Sequence, residues 1–300
     1  MKNSLSINQR TNMLYKMAVF IIVVLFLFLT LFPFYWVFRT SVAPQQSVFA
    51  NPTALWPPHA TLLNYARVLG LIDSETAIKM GGSGQKVNFF LNIYNSFLVS
   101  IGVTFFQVLF SSMAAYAFAR LHFRFRDNLF SLYVSTLMIP GIVTMLPNFI
   151  LVKQLGLLNS YWGIMAPTLL MTPFAVFFLR QFFLRINKEL EEAAYLDGAG
   201  YLKTFIEVIL PISTTALTTL AVITFITAWN DYMWPLIVGK KESIRTLTVA
   251  LAIFRLQTPQ GQPDWSGMMA GTTLAMIPTF GIFILFGRKI VDSIGFSGFR

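Results

Sequence analysis

MAVFIIVVLFLFLTLFPFYWVF, residues Met17–Phe38, runs for 22 residues without a charge between Lys16 and Arg39. Wound as an α-helix it would be about 33 Å long, enough to cross a hydrocarbon core of about 30 Å. It is apolar on every face, so no orientation of such a helix offers water a polar surface. This stretch predicts a membrane span and sets the reading of everything after it.

Five more uncharged blocks follow. The first is Val87–Ala119, whose membrane part is expected to start near Asn95; then come Asn128–Val152, Trp162–Leu179, Val208–Asn230 and Ser266–Gly287. Composition agrees: 56% of the residues are hydrophobic and only 11% charged, against about 25% charged in a soluble domain. The expected fold is an all-α membrane protein of about six transmembrane helices. Residues 1–16 form a cytoplasmic N-terminal segment and 17–300 the membrane domain. The first block exceeds the 7–15 apolar residues typical of a signal peptide and lacks a small-x-small site, so it is expected to remain as an anchor.

The net charge of +10 would suggest nucleic acid in a soluble protein. Here the basic residues flank apolar blocks, where Lys and Arg set topology, and no nucleic-acid partner is expected. With the N-terminus inside, 13 of the 22 Lys and Arg face the cytoplasm. Four of the other nine lie in the long Arg39–Lys86 connection, which counts for less in the rule. Both termini are therefore expected in the cytoplasm of a multi-pass inner-membrane protein. The outer loop, residues 39–94, is broken by Pro44, Pro52, Pro57, Pro58, Gly81, Gly82 and Gly84, which favour turns. It has no evident core of its own, and two readings stay open: a lid on the outer face or a docking surface.

Catalytic chemistry is missing. The two histidines, His59 and His122, stand apart and suit solvated or interfacial positions, whereas metal sites need clustered ligands. Cysteine is absent. No zincin, nucleophile-elbow or P-loop pattern occurs, so no catalytic, metal or ATP-binding residue is assigned. The spans contain no Asp, Glu, Lys or Arg, which argues against a proton-coupled carrier. If this protein moves solute uphill, the energy is expected to enter from another subunit.

The segment Arg180–Pro211, between spans four and five, is the most charged loop on the expected cytoplasmic side. Asn187 can cap a helix that opens with Glu189, Glu191 and Glu192, since side-chain oxygen and acids near an N-terminus favour initiation. Leu190, Ala193 and Ala194 then share a face, and the two alanines let another protein approach closely. Gly198 and Gly200 can end the helix and turn the chain. On these grounds alone, a plain surface linker is as good a reading as a docking helix.

The same residues resemble the EAA motif of ABC-importer permeases: EAA, three residues, Gly, nine residues, then Ile-x-Leu-Pro. Glu192-Ala193-Ala194, Gly198, Leu210 and Pro211 fit this spacing, with Val208 in place of Ile. The chain is most similar to the maltose-type carbohydrate permeases, through Phe34-Tyr35-Trp36 with Ser41, Asn95-Ser96, and Trp229-Asn230-Asp231-Tyr232 with Trp234-Pro235-Leu236. The resemblance implies a transport subunit rather than an enzyme. Its partners would be a second homologous permease, two ATP-binding cassette subunits that hold ATP-Mg, and an extracytoplasmic solute-binding protein. It makes residues 180–211 the coupling loop, with Glu192, Ala193, Ala194, Asp197 and Gly198 facing the ATPase.

Trp229, Asn230, Asp231 and Tyr232 are candidates for the translocation path or gate. Aromatic and amide groups suit sugar rings, but aromatics also anchor helices at membrane interfaces. The expected solute is a sugar or small oligosaccharide, with a glycerol phosphate ester as the alternative. A phosphate would call for Arg or Lys near the pathway, and none lies mid-membrane.

Overall fold

The computed structural model describes residues 7–84, 86–255 and 261–295. It divides into two compact units, Met1–Val87 with Ile253–Leu274 and Asn88–Ala252 with Ala275–Arg300. No strand occurs among the described residues.

The first unit opens with α1 (Ile7–Ser41). From Met13 to Leu31 its large apolar side chains are exposed, the condition of a helix solvated by lipid or by another chain rather than by water. Three short helices follow, α2 (Gln45–Ala50), α3 (Leu63–Val68) and α4 (Ser74–Lys79). The connection shows no evident core of its own in the sequence and is packed through polar contacts that include Asp264 and Ser266. Arg67 and Asp264 form a buried ion pair at 2.7 Å, with side chains 3% and 0% exposed. Asn64 donates to the Ser41 and Ala43 carbonyls, and Gln45 accepts from the Ser266 N–H and hydroxyl. Arg39, fully buried, caps the Asn51 and Ala54 carbonyls. Polar partners 12 to 221 residues apart hold this unit, so no local periodicity reveals it.

The second unit is organised around α5 (Phe89–Arg120), the longest helix in it. Next come α6 (Arg126–Ser135), α7 (Gly141–Gln154), α8 (Tyr161–Met165) and α9 (Pro173–Phe183). The charged loop supplies α10 (Glu189–Leu196) and α11 (Tyr201–Thr204), a π-turn over Phe205–Ile209, and α12 (Leu210–Ile212). The remaining elements are α13 (Thr214–Asn230), α14 (Met233–Val238), α15 (Leu247–Leu251) and α16 (Trp265–Gly295), which begins in the first unit.

Three helices, Asn12–Ser41, Phe89–Arg120 and Trp265–Lys289, are long and apolar enough to cross a bilayer unbroken. The other three expected spans are each broken. Arg126–Met138 and Gly141–Gln154 meet at 102°, Tyr161–Thr168 and Pro173–Phe183 at 50°, Tyr201–Ile212 and Thr214–Asn230 at 79°. Counting each pair as one span gives six. Pro140, Pro173 and Pro211 sit at or beside the breaks, where a missing N–H interrupts the helical ladder.

Packing on α5 forms two apolar clusters. Near its C-terminus Ala115, Tyr116 and Ala119 meet Val176, Leu179, Phe183, Phe205, Ile209 and Leu220. Nearer its N-terminus Val99 and Val103 meet Val152, Ile164, Met165 and Val238. The alanines bring α9 and α13 close to the α5 backbone, as small residues do between helices in lipid.

Candidate functional site

The charged loop forms the helix its sequence predicts. Glu189, Glu191 and Glu192 occupy the first turn of α10, and Asn187 Oδ1 accepts from the Glu189 N–H at 3.2 Å. Gly198 follows with φ +80, the left-handed region that glycine enters without Cβ strain. Gly200 instead caps α11 with φ −79. Burial divides the helix sharply. Glu192, Ala193, Asp197 and Gly198 are exposed and Ala194 is half-buried. Leu190, Leu196, Tyr201 and Leu202 add exposed apolar surface, with Leu196 90% exposed. Nothing lies within 4 Å of a side chain built at Gly198 or Gly200.

Glu191 is the buried residue of α10. Its carboxylate lies 2.8 Å from Arg120 Nε, both side chains almost wholly enclosed. The Arg120 Nη2 also donates to the Phe183 and Ile186 carbonyls at 2.6 and 2.5 Å. Burial pushes the Glu191 carboxyl above its usual range, while Arg120 and then Lys188 pull it back. Downstream, Phe205 and Ile209 are buried in the α5 core. The exposed stretch between is thus fixed at both ends. Motif spacing pointed to Glu192 and passed over Glu191. One clue to it was available: position 191 lies on the helix face opposite Ala193.

The four residues at the end of α13 separate in space. Trp229 is 3% exposed; its Nε1–H donates to the Ala275 carbonyl at 3.1 Å, and its ring lies on Phe225 and Phe97. It is a packing residue. Asn230 is exposed and returns its amide to the Ile226 carbonyl of its own helix. Asp231 lines a cavity of about 360 Å³, and Thr248 Oγ1 donates to its backbone carbonyl at 2.7 Å. Tyr232 is half-buried beside it.

The cavity lies among α5, α8, α9 and α13, with Gln107, Thr168, Thr172, Thr224, Thr227 and Asp231 as its polar lining. Gln107 Nε2 donates to Thr172 Oγ1 at 2.9 Å. No Lys or Arg lines it. Sequence reading found Asp231 alone of this set, because single Thr and Gln residues in apolar helices carry no local signal of facing a common space. At the other end of α5, Asn95 holds the Ser243 and Arg245 carbonyls and accepts from the Tyr161 hydroxyl. Asn95 and Ser96 are therefore structural anchors for the 243–247 turn. Among the described residues no group of three His, Asp or Glu could hold a metal ion.

Helices of membrane-spanning length, an exposed short helix in a charged loop and a cavity lined by hydroxyl, amide and apolar side chains between the helices fit a multi-pass transport subunit. Residues 107–294 match the model of the family described as "binding-protein-dependent transport system inner membrane component", and the chain belongs to that family. The sn-glycerol-3-phosphate transport system permease protein UgpE of Yersinia enterocolitica is 34% identical over 272 residues, 88% of this chain and 92% of the relative. The protein of that name from Escherichia coli O157:H7 is 33% identical over 268 residues, covering 88% and 91%. Among solved structures, a chain of a bacterial ABC transporter involved in import of the acidic polysaccharide alginate superposes with a TM-score of 0.77. It is 20% identical, with 96% of this chain and 99% of that one covered, and shows the shared fold.

The protein is a membrane-embedded permease of a binding-protein-dependent importer. It is not an enzyme; it works with a separate ATPase subunit, a partner permease and a binding protein.

Proposed function

We propose that this chain forms half of a translocation pathway, paired with one homologous permease above two ATPase subunits. Both termini and the 180–211 loop lie on the cytoplasmic side. ATP-Mg is held by the ATPases, and this chain carries no cofactor. The observation that supports the coupling role most directly is the exposed Glu192–Gly198 stretch on a buried Glu191 anchor. Glu192, Ala193, Ala194, Asp197 and Gly198 contact the ATPase, and closure of the ATPases carries α10 inward and tilts the spans. Rigid-body motion of this kind needs no chemistry in the permease. Ala193→Trp tests it: the bulky ring should abolish co-purification of the ATPase or solute-stimulated hydrolysis. Retention of both refutes the docking surface.

For the solute, hydroxyl and amide groups with one carboxylate and no cation suit a neutral polyhydroxylated molecule, a sugar or small oligosaccharide. A phosphate monoester would meet Asp231 without a compensating Arg or Lys in this wall. The UgpE relatives support a second reading, a glycerol phosphate ester, whose charge the partner permease would have to neutralise. Uptake into proteoliposomes with labelled sugars and labelled glycerol 3-phosphate decides between them. Transport of the ester alone overturns the neutral-solute reading.

A further inference from the structure

We propose that Arg120 and Glu191 are positioning residues for energy coupling: the pair makes α10 move as one body with α5 and α9. This rests on the coupling role of the exposed 192–198 stretch proposed above.

Start from what α10 has to hold it. It is eight residues long, and an isolated helix below about 12 residues is marginal in water. Its one buried residue is Glu191. Leu190, Glu192, Ala193, Leu196 and Asp197 all point away from the body of the unit. Apart from the Arg120 contact, the helix is held by its chain connections at Asn187 and Phe205 and by Tyr195, which lies beside Tyr116 and Tyr201.

Arg120 is equally committed. It ends α5, donates from Nη2 to the Phe183 and Ile186 carbonyls at and just beyond the end of α9, and sets Nε 2.8 Å from the Glu191 carboxylate as a charge contact. A single guanidinium therefore joins α5, the end of α9 and α10, through two hydrogen bonds and one ion pair. Tyr116, one turn earlier on α5, and Tyr195 on α10 border the pair, with Lys188 as the other nearby charge. Removing either partner leaves a desolvated charge unpaired, so the contact is costly to open. A link that resists opening transmits displacement; a link that opens absorbs it.

The pair also separates two tasks that the motif merges. Glu191 faces inward and holds the helix, while Ala193 and Gly198 face outward. Loss of the pin should leave the outward surface intact. The ATPase would still bind, yet its closure would bend α10 instead of tilting α5 and α9.

The test uses the complete importer, purified and reconstituted with its binding protein. Glu191→Gln should retain ATPase assembly and basal hydrolysis per complex, while solute-stimulated hydrolysis falls about tenfold, within the usual span of allosteric coupling. Solute moved per ATP should fall with it, and Glu191→Asp, which keeps the charge, should recover part of the loss. A residue that served folding alone would lower complex yield and leave the ratio of solute to ATP unchanged, and that result overturns the proposal. So does stimulation by Glu191→Gln complexes within twofold of the parent. If Glu191→Gln does not assemble, hydrogen exchange on the unaltered complex decides. The α10 amides should be protected to the same degree as those at the ends of α5 and α9, and independent fast exchange of α10 rules the pin out. Ala193→Trp run in parallel keeps the two claims apart: coupling lost there but kept in Glu191→Gln removes the pin alone.

Discussion

At the scale of single residues, backbone conformation and burial decide which positions tolerate change. Gly198 has open space around it, so its constraint is the positive φ and not crowding. A β-branched side chain in the left-handed region costs about 1–2 kcal/mol, and the chain must bend elsewhere to relieve it. Gly198→Val is expected to leave membrane insertion unchanged and to lower solute-stimulated hydrolysis, measured on reconstituted complexes. The Arg67–Asp264 pair offers the opposite case, a constraint of charge. Gly82 and Gly267 leave room for its guanidinium, since a Cβ on Gly82 would fall 1.5 Å from Arg67 Nη1. Asp264→Ala strands a buried cation and should destabilise the first unit by about 3–5 kcal/mol, seen as faster proteolysis of the 44–84 connection.

At the scale of elements, close approach of helices fixes the broken spans. Gly163 in α8 is the clearest instance: a Cβ there would meet the Leu157 carbonyl oxygen at 2.2 Å, and backbone cannot swing aside as a side chain can. Its N–H donates to Ser160 Oγ, and its carbonyl accepts from Trp234 Nε1–H. Gly163→Ala should lower thermal stability in detergent by about 1–3 kcal/mol, the usual cost of overpacking. An unchanged melting temperature would show that α8 can shift. The breaks themselves follow from proline for the chain direction only. Their angles depend on what the two halves pack against, so 50° and 102° could not be read from Pro140 or Pro173.

At the scale of the molecule, the second unit has two ends. The loop 180–211 gathers around Arg120, and the turns at 157–161 and 240–247 gather around Asn95. Separated by the length of α5, these ends should open on opposite faces of the membrane. The natural absence of cysteine makes the check direct. In sealed inside-out vesicles an impermeant maleimide should label Leu202→Cys and spare Lys240→Cys, and right-side-out vesicles should reverse the result. Labelling of both from one side would contradict the proposed orientation.

Length and polarity of the apolar blocks determined the membrane class, the six segments and the charged loop, because a bilayer acts on each segment separately and its demand is written locally. The left-handed turn at Gly198 and the acidic start of α10 were legible for the same reason: helix ends are decided by neighbours in sequence. Partnership across the chain was left to tertiary structure. Arg67 meets Asp264 across 197 residues, Arg120 at the end of α5 reaches Glu191 in α10 past four intervening helices, and Trp229 turns into the core while Asp231 turns to the cavity. None of these follows from spacing, since each depends on which face of one helix packs on which face of another. Enclosure then gives a buried charge or amide its strength, and enclosure is a property of the folded chain.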